Sequence, residues 1–186
     1  MPESIIRAAA EGDFPAITRI YAGWVNDACG TFELVPPSED EMRARYAYVQ
    51  ALGMPYLVAE KAGQVLGYAY AGPFRAREAY RYMAEDSIYL DPAAKGLGLG
   101  GALLDRLIHE CEGKGVRQMV AVIGDSENES SIALHRSRGF ADSGRFTSAG
   151  WKLDGWRDVI FMQKALGAGG TSAPDKPALM LSDKTR

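Results

Sequence analysis

The stretch from Ala84 to Ile108 contains residues that could bind an anion. Ser87 to Leu90 has the composition of a short strand, which Asp91 and Pro92 end, and glycines then follow at Gly96, Gly98, Gly100 and Gly101. Apolar residues after the glycines recur at helical spacing: Leu103, Leu104, Leu107, Ile108 and Cys111. A glycine loop lets backbone amides approach a ligand closely, and the helix N-terminus adds positive potential. The order strand, loop and helix therefore predicts a pyrophosphate-binding loop.

Two familiar phosphate-binding motifs do not fit this loop. A P-loop requires a lysine and a hydroxyl residue directly after its last glycine, whereas Gly101 is followed by Ala102 and Leu103. Gly96, Gly98 and Gly101 match the spacing GxGxxG, but no acidic residue ends a second strand about twenty residues later, as a Rossmann fold requires.

The loop resembles the (Q/R)xxGx(G/A) motif of the GNAT acetyltransferase superfamily, with Lys95 in place of the usual glutamine or arginine. Over roughly Ile5 to Leu166 the chain is similar to the phosphinothricin and methionine sulfoximine N-acetyltransferases. The segments that carry this resemblance are GYAYAGPFRAREAY (67–80), EDSIYL (85–90), VAVIG (120–124), LHRSRGF (134–140) and AGWKLDGWRDV (149–159).

The resemblance implies an α/β (mixed α+β) GNAT fold, in which helices flank a central, mostly antiparallel, twisted sheet. It implies an enzyme that transfers acetyl from acetyl-CoA to the α-amine of a small amino acid analogue, such as phosphinothricin or methionine sulfoximine, as a detoxification. A homodimer is also implied. Two other classes of function stay open: acetylation of protein N-termini or of a polyamine, and a non-catalytic regulatory module that binds acyl-CoA.

Two side chains are candidates for proton transfer. Glu85 matches the glutamate of the family motif and is the candidate general base; the alternative is a solvated carboxylate at the start of a strand. His135 occupies a position where many superfamily members have a tyrosine that protonates the leaving thiolate. It could be an acid, share base duty with Glu85, or be a surface histidine near the end of a helix.

The resemblance also assigns binding residues. The backbone of Ile88, Tyr89 and Leu90 would contact the pantetheine arm, and Asn128 would contact the cofactor, although Asn128 could instead be a helix N-cap. Phe32, Phe74, Arg75 and Arg77 are candidates for binding substrate, the two arginines as a clamp for its carboxylate unless local acids such as Glu78 pair with them. The loop residues expected to bind the diphosphate are Lys95, Gly96, Leu97, Gly98, Leu99, Gly100 and Gly101.

Composition agrees with one domain that binds a small molecule. The chain has 186 residues and a net charge of −3, which argues against a nucleic-acid or anionic-membrane partner. Residues 1–166 are expected to form the GNAT domain, and the apolar-poor segment 167–186 to be a disordered tail. No leader or membrane span is evident, so a cytoplasmic location is expected.

We expect no metal site, because His109 and His135 lie on different predicted helices and neither Cys29 nor Cys111 has metal-ligand spacing. Both cysteines are expected to be reduced thiols.

The sequence predicts alternating helices and strands. Asp13 is expected to cap a first helix, and Ser38 with Glu41 a second. Strands are predicted at Ile5 to Ala8, Tyr56 to Glu60, Val65 to Ala71, Arg117 to Ile123 and Arg157 to Gln163, and a further helix at Ser130 to Arg138.

Overall fold

A computed structural model describes residues 4–181. Seven strands form one sheet in the order β1-β2-β3-β4-β5-β7-β6. The strands are β1 Ser4–Ala8, β2 Tyr56–Lys61, β3 Gln64–Pro73, β4 Met83–Leu90, β5 Gln118–Gly124, β6 Ala141–Lys152 and β7 Gly155–Ala165. The helices are α1 Phe14–Asp27, α2 Glu39–Ala51, α3 Leu99–Gly113 and α4 Glu129–Ser137.

The sheet is antiparallel except between β4 and β5, which run parallel. This parallel pairing extends only from Met83, opposite Gln118, to Asp86, opposite Ala121. Beyond Asp86 the two strands separate, while β4 stays paired with β3 as far as Leu90. The mixed α/β, mostly antiparallel sheet is the predicted fold, and the fork between β4 and β5 is an opening in it.

Helix α3 packs against the sheet through the apolar residues whose spacing predicts it. Leu103, Leu104, Leu107 and Cys111 are completely buried, and Ile108 is partly buried against the same core. A continuous apolar stripe on one face of a helix stabilises it mainly through this burial. The helix therefore holds its N-terminus, and the glycine loop before it, in a fixed position beside the fork.

The two predicted helix caps have different outcomes. Ser38 accepts a hydrogen bond from the Glu41 amide at 3.2 Å, which confirms the start of α2. Asp13 precedes α1, but its carboxylate accepts from the Ala10 amide and the Arg7 guanidinium instead of from a helix amide. Asp13 therefore occupies the predicted N-cap position of α1, but its side chain makes no capping bond because the partly buried ion pair with Arg7 takes both carboxylate oxygens.

Strand β6 was not predicted. It is an edge strand of the sheet and is exposed along nearly its whole length, so its sequence lacks the apolar alternation that indicates a half-buried strand. The hairpin that it forms with β7 carries Trp151 opposite Trp156, and both rings are largely exposed.

The C-terminal segment also differs from the expectation of disorder. In its described part, 167–181, Ala178 and Leu179 are buried in the core. The Leu179 amide donates to the Arg81 carbonyl at 3.0 Å, and the Met180 amide to the Leu52 carbonyl at 3.3 Å. Two apolar side chains and two backbone bonds thus fasten a segment whose average composition is typical of disorder. The rest of the predicted tail, 182–186, lies outside the described residues.

Candidate active site

The fork between β4 and β5 opens into a cavity of about 390 Å³. Separation of the strands leaves alternate backbone groups of residues 87–90 without a partner strand on the β5 side. Ile88, Tyr89, Leu90 and Asn128, four of the residues predicted to bind cofactor, line this cavity. Such an edge can form strand-like hydrogen bonds with an extended amide-bearing ligand.

The predicted anion loop lies next to this cavity. Gly96 and Gly98 have φ of 76° and 72°, a left-handed conformation that favours glycine, and Gly98 is the residue before α3. Lys95 and Leu97 are exposed, whereas the Leu99 side chain is buried, so only its amide can face a ligand. Free amides at the N-terminus of a 15-residue helix make the loop suited to bind phosphate groups.

Arg138 adds a cation to this loop that sequence reasoning missed. Its guanidinium lies directly over Gly101, in the first turn of α3, and pairs with Asp105 at 3.3 Å. Gly100 in the same turn lies against Leu90 and Leu134, which line the cavity. The glycine loop, the arginine and the fork are therefore continuous.

Asn128 is the N-cap of α4, which confirms the capping role considered for it beside a cofactor contact. Its Oδ1 accepts from the Ser131 amide at 3.3 Å and from the Ser130 hydroxyl at 3.1 Å. These bonds use only its oxygen, so the two amide hydrogens on Nδ2 take no part in them, and Asn128 lines the cavity. The capping role and the predicted cofactor contact are compatible.

Glu85 lies where the first cavity meets a second one of about 460 Å³. Glu85 and Ser87, two residues apart on one face of β4, line both cavities. The pKa of Glu85 is raised to about 7, first by burial and then by repulsion from Asp86, while Arg75 opposes the shift. Near neutral pH this carboxyl group can therefore both accept and release a proton. A solvated carboxylate would keep its ordinary pKa, so that alternative does not account for the raised pKa of Glu85.

His135 is buried and bonded to Asp86, a residue that sequence reasoning missed. Its Nε2 lies 2.9 Å from Asp86 Oδ2, and its Nδ1 lies 2.7 Å from the Ser131 carbonyl oxygen. Both side chains line the first cavity. The alternative that His135 is a surface histidine at a helix end is wrong, because only 5% of its side chain is exposed.

Phe32 lines the first cavity from the loop between α1 and α2. A Cβ atom on Gly150 would lie 2.6 Å from the Phe32 ring, so the absence of a side chain there makes room for the phenyl group. Lys152 holds the same loop, since its buried ammonium donates to the Thr31 carbonyl at 2.7 Å. The β6–β7 hairpin thus positions a residue predicted to bind substrate.

The second cavity has mainly apolar walls from α2 and β3. Its lining residues are Glu41, Ala44, Arg45, Tyr48, Val49, Tyr70, Gly72, Pro73, Glu85 and Ser87. Arg45 is already bonded to Glu33 at 2.7 Å and to Glu41 at 3.0 Å. Its charge is therefore compensated within the protein, and it is a poor candidate for binding a substrate anion.

Phe74, Arg75 and Arg77 follow Pro73 and do not line either cavity. The Arg75 guanidinium stacks 4.5 Å from the centre of the Phe74 ring. Both arginines are exposed, and neither has a carboxylate partner among residues 4–181. Glu78 bonds Arg81 at 2.6 Å instead, so the local acid that could have neutralised them is occupied.

Comparison with known proteins identifies the family. Residues 21–140 match the model of the acetyltransferase (GNAT) family. The chain belongs to the GNAT acetyltransferases. It is 48% identical over 170 residues to a phosphinothricin N-acetyltransferase of Alcaligenes faecalis, covering 91% of this chain and 86% of that protein. Its identity to an L-methionine sulfoximine/L-methionine sulfone acetyltransferase of Salmonella typhimurium is 41%, covering 87% of this chain and 94% of the relative.

Solved GNAT structures share this architecture. A phosphinothricin acetyltransferase from Sinorhizobium meliloti, crystallised with acetyl-CoA, superimposes with a TM-score of 0.90 at 45% identity, covering 93% of this chain and 94% of that one. The predicted family, fold class, acetyltransferase activity and acetyl-CoA co-substrate are thereby confirmed.

Within residues 4–181 no helix is both long and apolar enough to cross a membrane. The same residues contain no cluster of three or more metal-ligating side chains.

Proposed function

We propose that this GNAT enzyme transfers acetyl from acetyl-CoA to the α-amine of a small amino acid analogue of the phosphinothricin or methionine sulfoximine type. The observation that carries the proposal is the position of Glu85 between two cavities. The first cavity adjoins the glycine loop, and Glu85 lines the second cavity as well. A donor and an acceptor held in separate cavities can meet at one base. The relatives named for these two substrates support the choice of analogue.

The residues of the first cavity fit acetyl-CoA. Lys95 and Arg138 supply positive charge near the loop amides for a diphosphate, and the unpaired edge of β4 suits the amides of a pantetheine arm. When bound, acetyl-CoA supplies an activated acetyl thioester. An amide of residues 88–90 that faces the cavity would polarise the thioester carbonyl.

Glu85 prepares the acceptor amine. An α-amine arrives protonated, and only its neutral form is a nucleophile. With a pKa of about 7, Glu85 is substantially ionised at neutral pH and can take the proton directly or through one water molecule.

Arg75 and Arg77 are proposed to bind the substrate carboxylate. Replacing both with methionine should raise KM for a carboxylate-bearing substrate by roughly tenfold to a hundredfold, matching about 1.5 to 3 kcal/mol for a charged hydrogen bond. The decarboxylated amine should show no such loss. Steady-state kinetics with the acid and amine pair measures the difference.

Single variants separate binding from an effect on the base. Since Arg75 opposes the raised pKa of Glu85, Arg75→Met should also shift the pH profile of turnover upward, whereas Arg77→Met should change KM alone. An equal loss for acid and amine substrates would contradict the clamp and favour polyamines as acceptors.

One assay tests the proposed function as a whole. Thiol release from acetyl-CoA is measured with phosphinothricin, methionine sulfoximine, methionine sulfone, polyamines and short peptides. Turnover at least tenfold faster with the amino acid analogues supports the proposal. Faster turnover with peptides or polyamines would reassign the acceptor, and no turnover with any amine would favour a regulatory module that binds acyl-CoA.

A cytoplasmic location is proposed because both described cysteines are free thiols.

A homodimer is proposed as the active form. The support is the exposed edge strand β6 with Trp151 and Trp156, because large exposed aromatic rings favour interfaces. Light scattering at micromolar concentration should give twice the chain mass of 20.1 kDa. Replacing both tryptophans with lysine should give a monomer, while Ile5→Lys on the opposite edge strand should not. A monomeric wild-type protein would contradict the proposal.

A further inference from the structure

Residues 178–181, here called the C-terminal strap, connect the end of α2 with the segment that enters β4. The Leu179 side chain is 1% exposed and belongs to the same hydrophobic core as Leu52. The Leu179 amide donates to the Arg81 carbonyl, and the Met180 amide to the Leu52 carbonyl. Leu52 follows α2 directly, and Arg81 lies two residues before β4. The strap is therefore bonded to both elements at once.

Both elements that the strap joins form walls of the second cavity. Helix α2 contributes Arg45, Tyr48 and Val49 to the lining, and β4 contributes Glu85 and Ser87. Buried apolar contacts and backbone hydrogen bonds resist local opening of the segments that they join. The strap therefore holds two walls of the cavity in which the acceptor amine is proposed to bind.

The loop between β3 and β4 is held at its last residues by the same bond. Tyr80, directly before Arg81, packs edge-on against Phe74, and the two ring centres are 5.9 Å apart. The Phe74 ring in turn stacks on the Arg75 guanidinium. Because these contacts follow one another, fixing Arg81 also fixes Arg75 at the other end of the loop.

Arg81 also determines the charge balance of this loop. Its Nε donates to the Glu78 carbonyl at 2.9 Å, and its Nη2 donates to Glu78 Oε2 at 2.6 Å. These two bonds occupy the acid that is local to Arg75 and Arg77, which have no carboxylate partner among residues 4–181. The two arginines are thus available to an anion from outside the chain while Arg81 holds Glu78.

We propose that the C-terminal strap and Arg81 position the acceptor-binding loop: the strap orders the loop between β3 and β4, and Arg81 withholds Glu78 from the two arginines that bind the substrate carboxylate. The role of Arg81 rests on the proposed function, whereas the order that the strap gives to the loop does not. Neither Leu179 nor Arg81 is among the residues that line the two cavities, so both act through their neighbours.

Hydrogen exchange on the full chain tests the strap without any substrate. The Tyr80 and Arg81 amides donate to carbonyls within the loop, so their exchange reports its order. Leu179→Ala removes most of a buried side chain and should speed their exchange at least about tenfold more than that of the α3 amides. Met180→Ala, a similar truncation of the next side chain, which is 66% exposed, should leave their exchange unchanged.

Two outcomes of this measurement overturn the ordering role of the strap. One is wild-type protection of the loop in folded Leu179→Ala. The other is an equal increase in the loop and in α3, which indicates a global loss of stability only. Leu179→Met keeps most of the apolar volume and should restore the wild-type pattern. If Leu179→Ala does not fold, Leu179→Val, which removes less of the side chain, takes its place in the comparison.

Kinetics test Arg81. Arg81→Gln releases the Glu78 carboxylate and should raise KM for a carboxylate-bearing amine about twofold to fivefold, the range that exposed ion pairs produce, with kcat and acetyl-CoA affinity unchanged. The decarboxylated amine should show no change. Adding Glu78→Gln should restore KM, because no competing acid then remains. Arg106→Gln, the same change in the exposed pair with Glu110 on α3, is the matched control.

The kinetic outcomes separate this proposal from the proposed function. A rise in KM that persists when Glu78→Gln is added overturns the withholding of Glu78. An unchanged KM in Arg81→Gln, while replacement of Arg75 and Arg77 raises it, overturns the role of Arg81 and leaves the carboxylate clamp intact. If neither change alters KM for the acid, the clamp fails and the role of Arg81 fails with it, whereas hydrogen exchange still decides whether the strap orders the loop.

Discussion

Glu85→Gln is expected to lower turnover by at least about a hundredfold while acetyl-CoA affinity stays nearly unchanged. General base catalysis contributes on the order of 10² to 10⁴ in rate, and glutamine keeps the size of the side chain but cannot take a proton. Since the carboxylate is the active form, wild-type turnover should rise with pH through the Glu85 pKa of about 7. The variant should lack this limb.

The measurement is turnover from pH 6 to 9 together with acetyl-CoA binding by calorimetry. Glu110→Gln, the same change in the last turn of α3, is the matched control, since the Glu110 carboxylate bonds Arg106 on the helix surface. Equal turnover of Glu85→Gln and wild type over this range would remove Glu85 as the base. A large fall in acetyl-CoA affinity would instead indicate that the substitution disturbs the fork.

The sequence predicted the parts of the site that are local along the chain. The glycine loop and α3 follow each other directly, so their apolar spacing and glycine positions indicate both the helix and its anion site. Glu85 was found by its motif position beside the same segment. The raised pKa of its carboxyl group could not be predicted, because it results from burial and neighbouring charges that only the folded chain brings together.

The residues that were missed act through contacts across the fold. Asp86 is next to Glu85 in sequence, but its partner His135 is 49 residues away, and nothing in the local pattern pairs them. Two other contacts, that of Arg138 with Gly101 and that of Lys152 with the Thr31 carbonyl, likewise form only when the helix and the hairpin pack in the folded chain. The sequence signal that could have indicated the pair is an aspartate directly after the motif glutamate, together with a motif histidine elsewhere in the chain.

Strand β6 and the order of the C-terminal segment were not predicted, because the burial of their residues differs from what their composition suggests. Strand β6 is exposed, so the period-two alternation that indicates a strand is absent, and its pairing with β7 alone defines it. In the C-terminal segment, Ala178 and Leu179 are buried and belong to a short apolar run, Ala178 to Leu181, that follows a stretch of mostly polar or small residues. Average composition describes neither case, because it does not show which individual residues pair with a strand or pack against the rest of the fold.

His135→Phe is expected to reduce the free energy of unfolding at pH 7 by about 3 kcal/mol or more. Removing one partner of a buried ion pair leaves an uncompensated charge, and such changes cost about 3 to 5 kcal/mol. The cost should be high here because Asp86 Oδ1 has no other donor among the described residues. A role limited to the helix dipole would cost only about 0.3 to 1 kcal/mol. Denaturant unfolding measures the difference.

A double-mutant cycle attributes this loss to the charge. Asp86→Asn with His135→Phe leaves no buried charge, so it should be more stable than His135→Phe alone, although it carries one more substitution. Additive losses would contradict a buried ion pair.

The cycle should also depend on pH, because the pKa of His135 is raised on folding. The stabilisation that His135 contributes is then fully present below its unfolded pKa of about 6.5 and is lost as pH rises through the folded value. The advantage of the wild type over the double variant should therefore decrease on the alkaline side, and an advantage that grows with pH would show that the proton resides on Asp86.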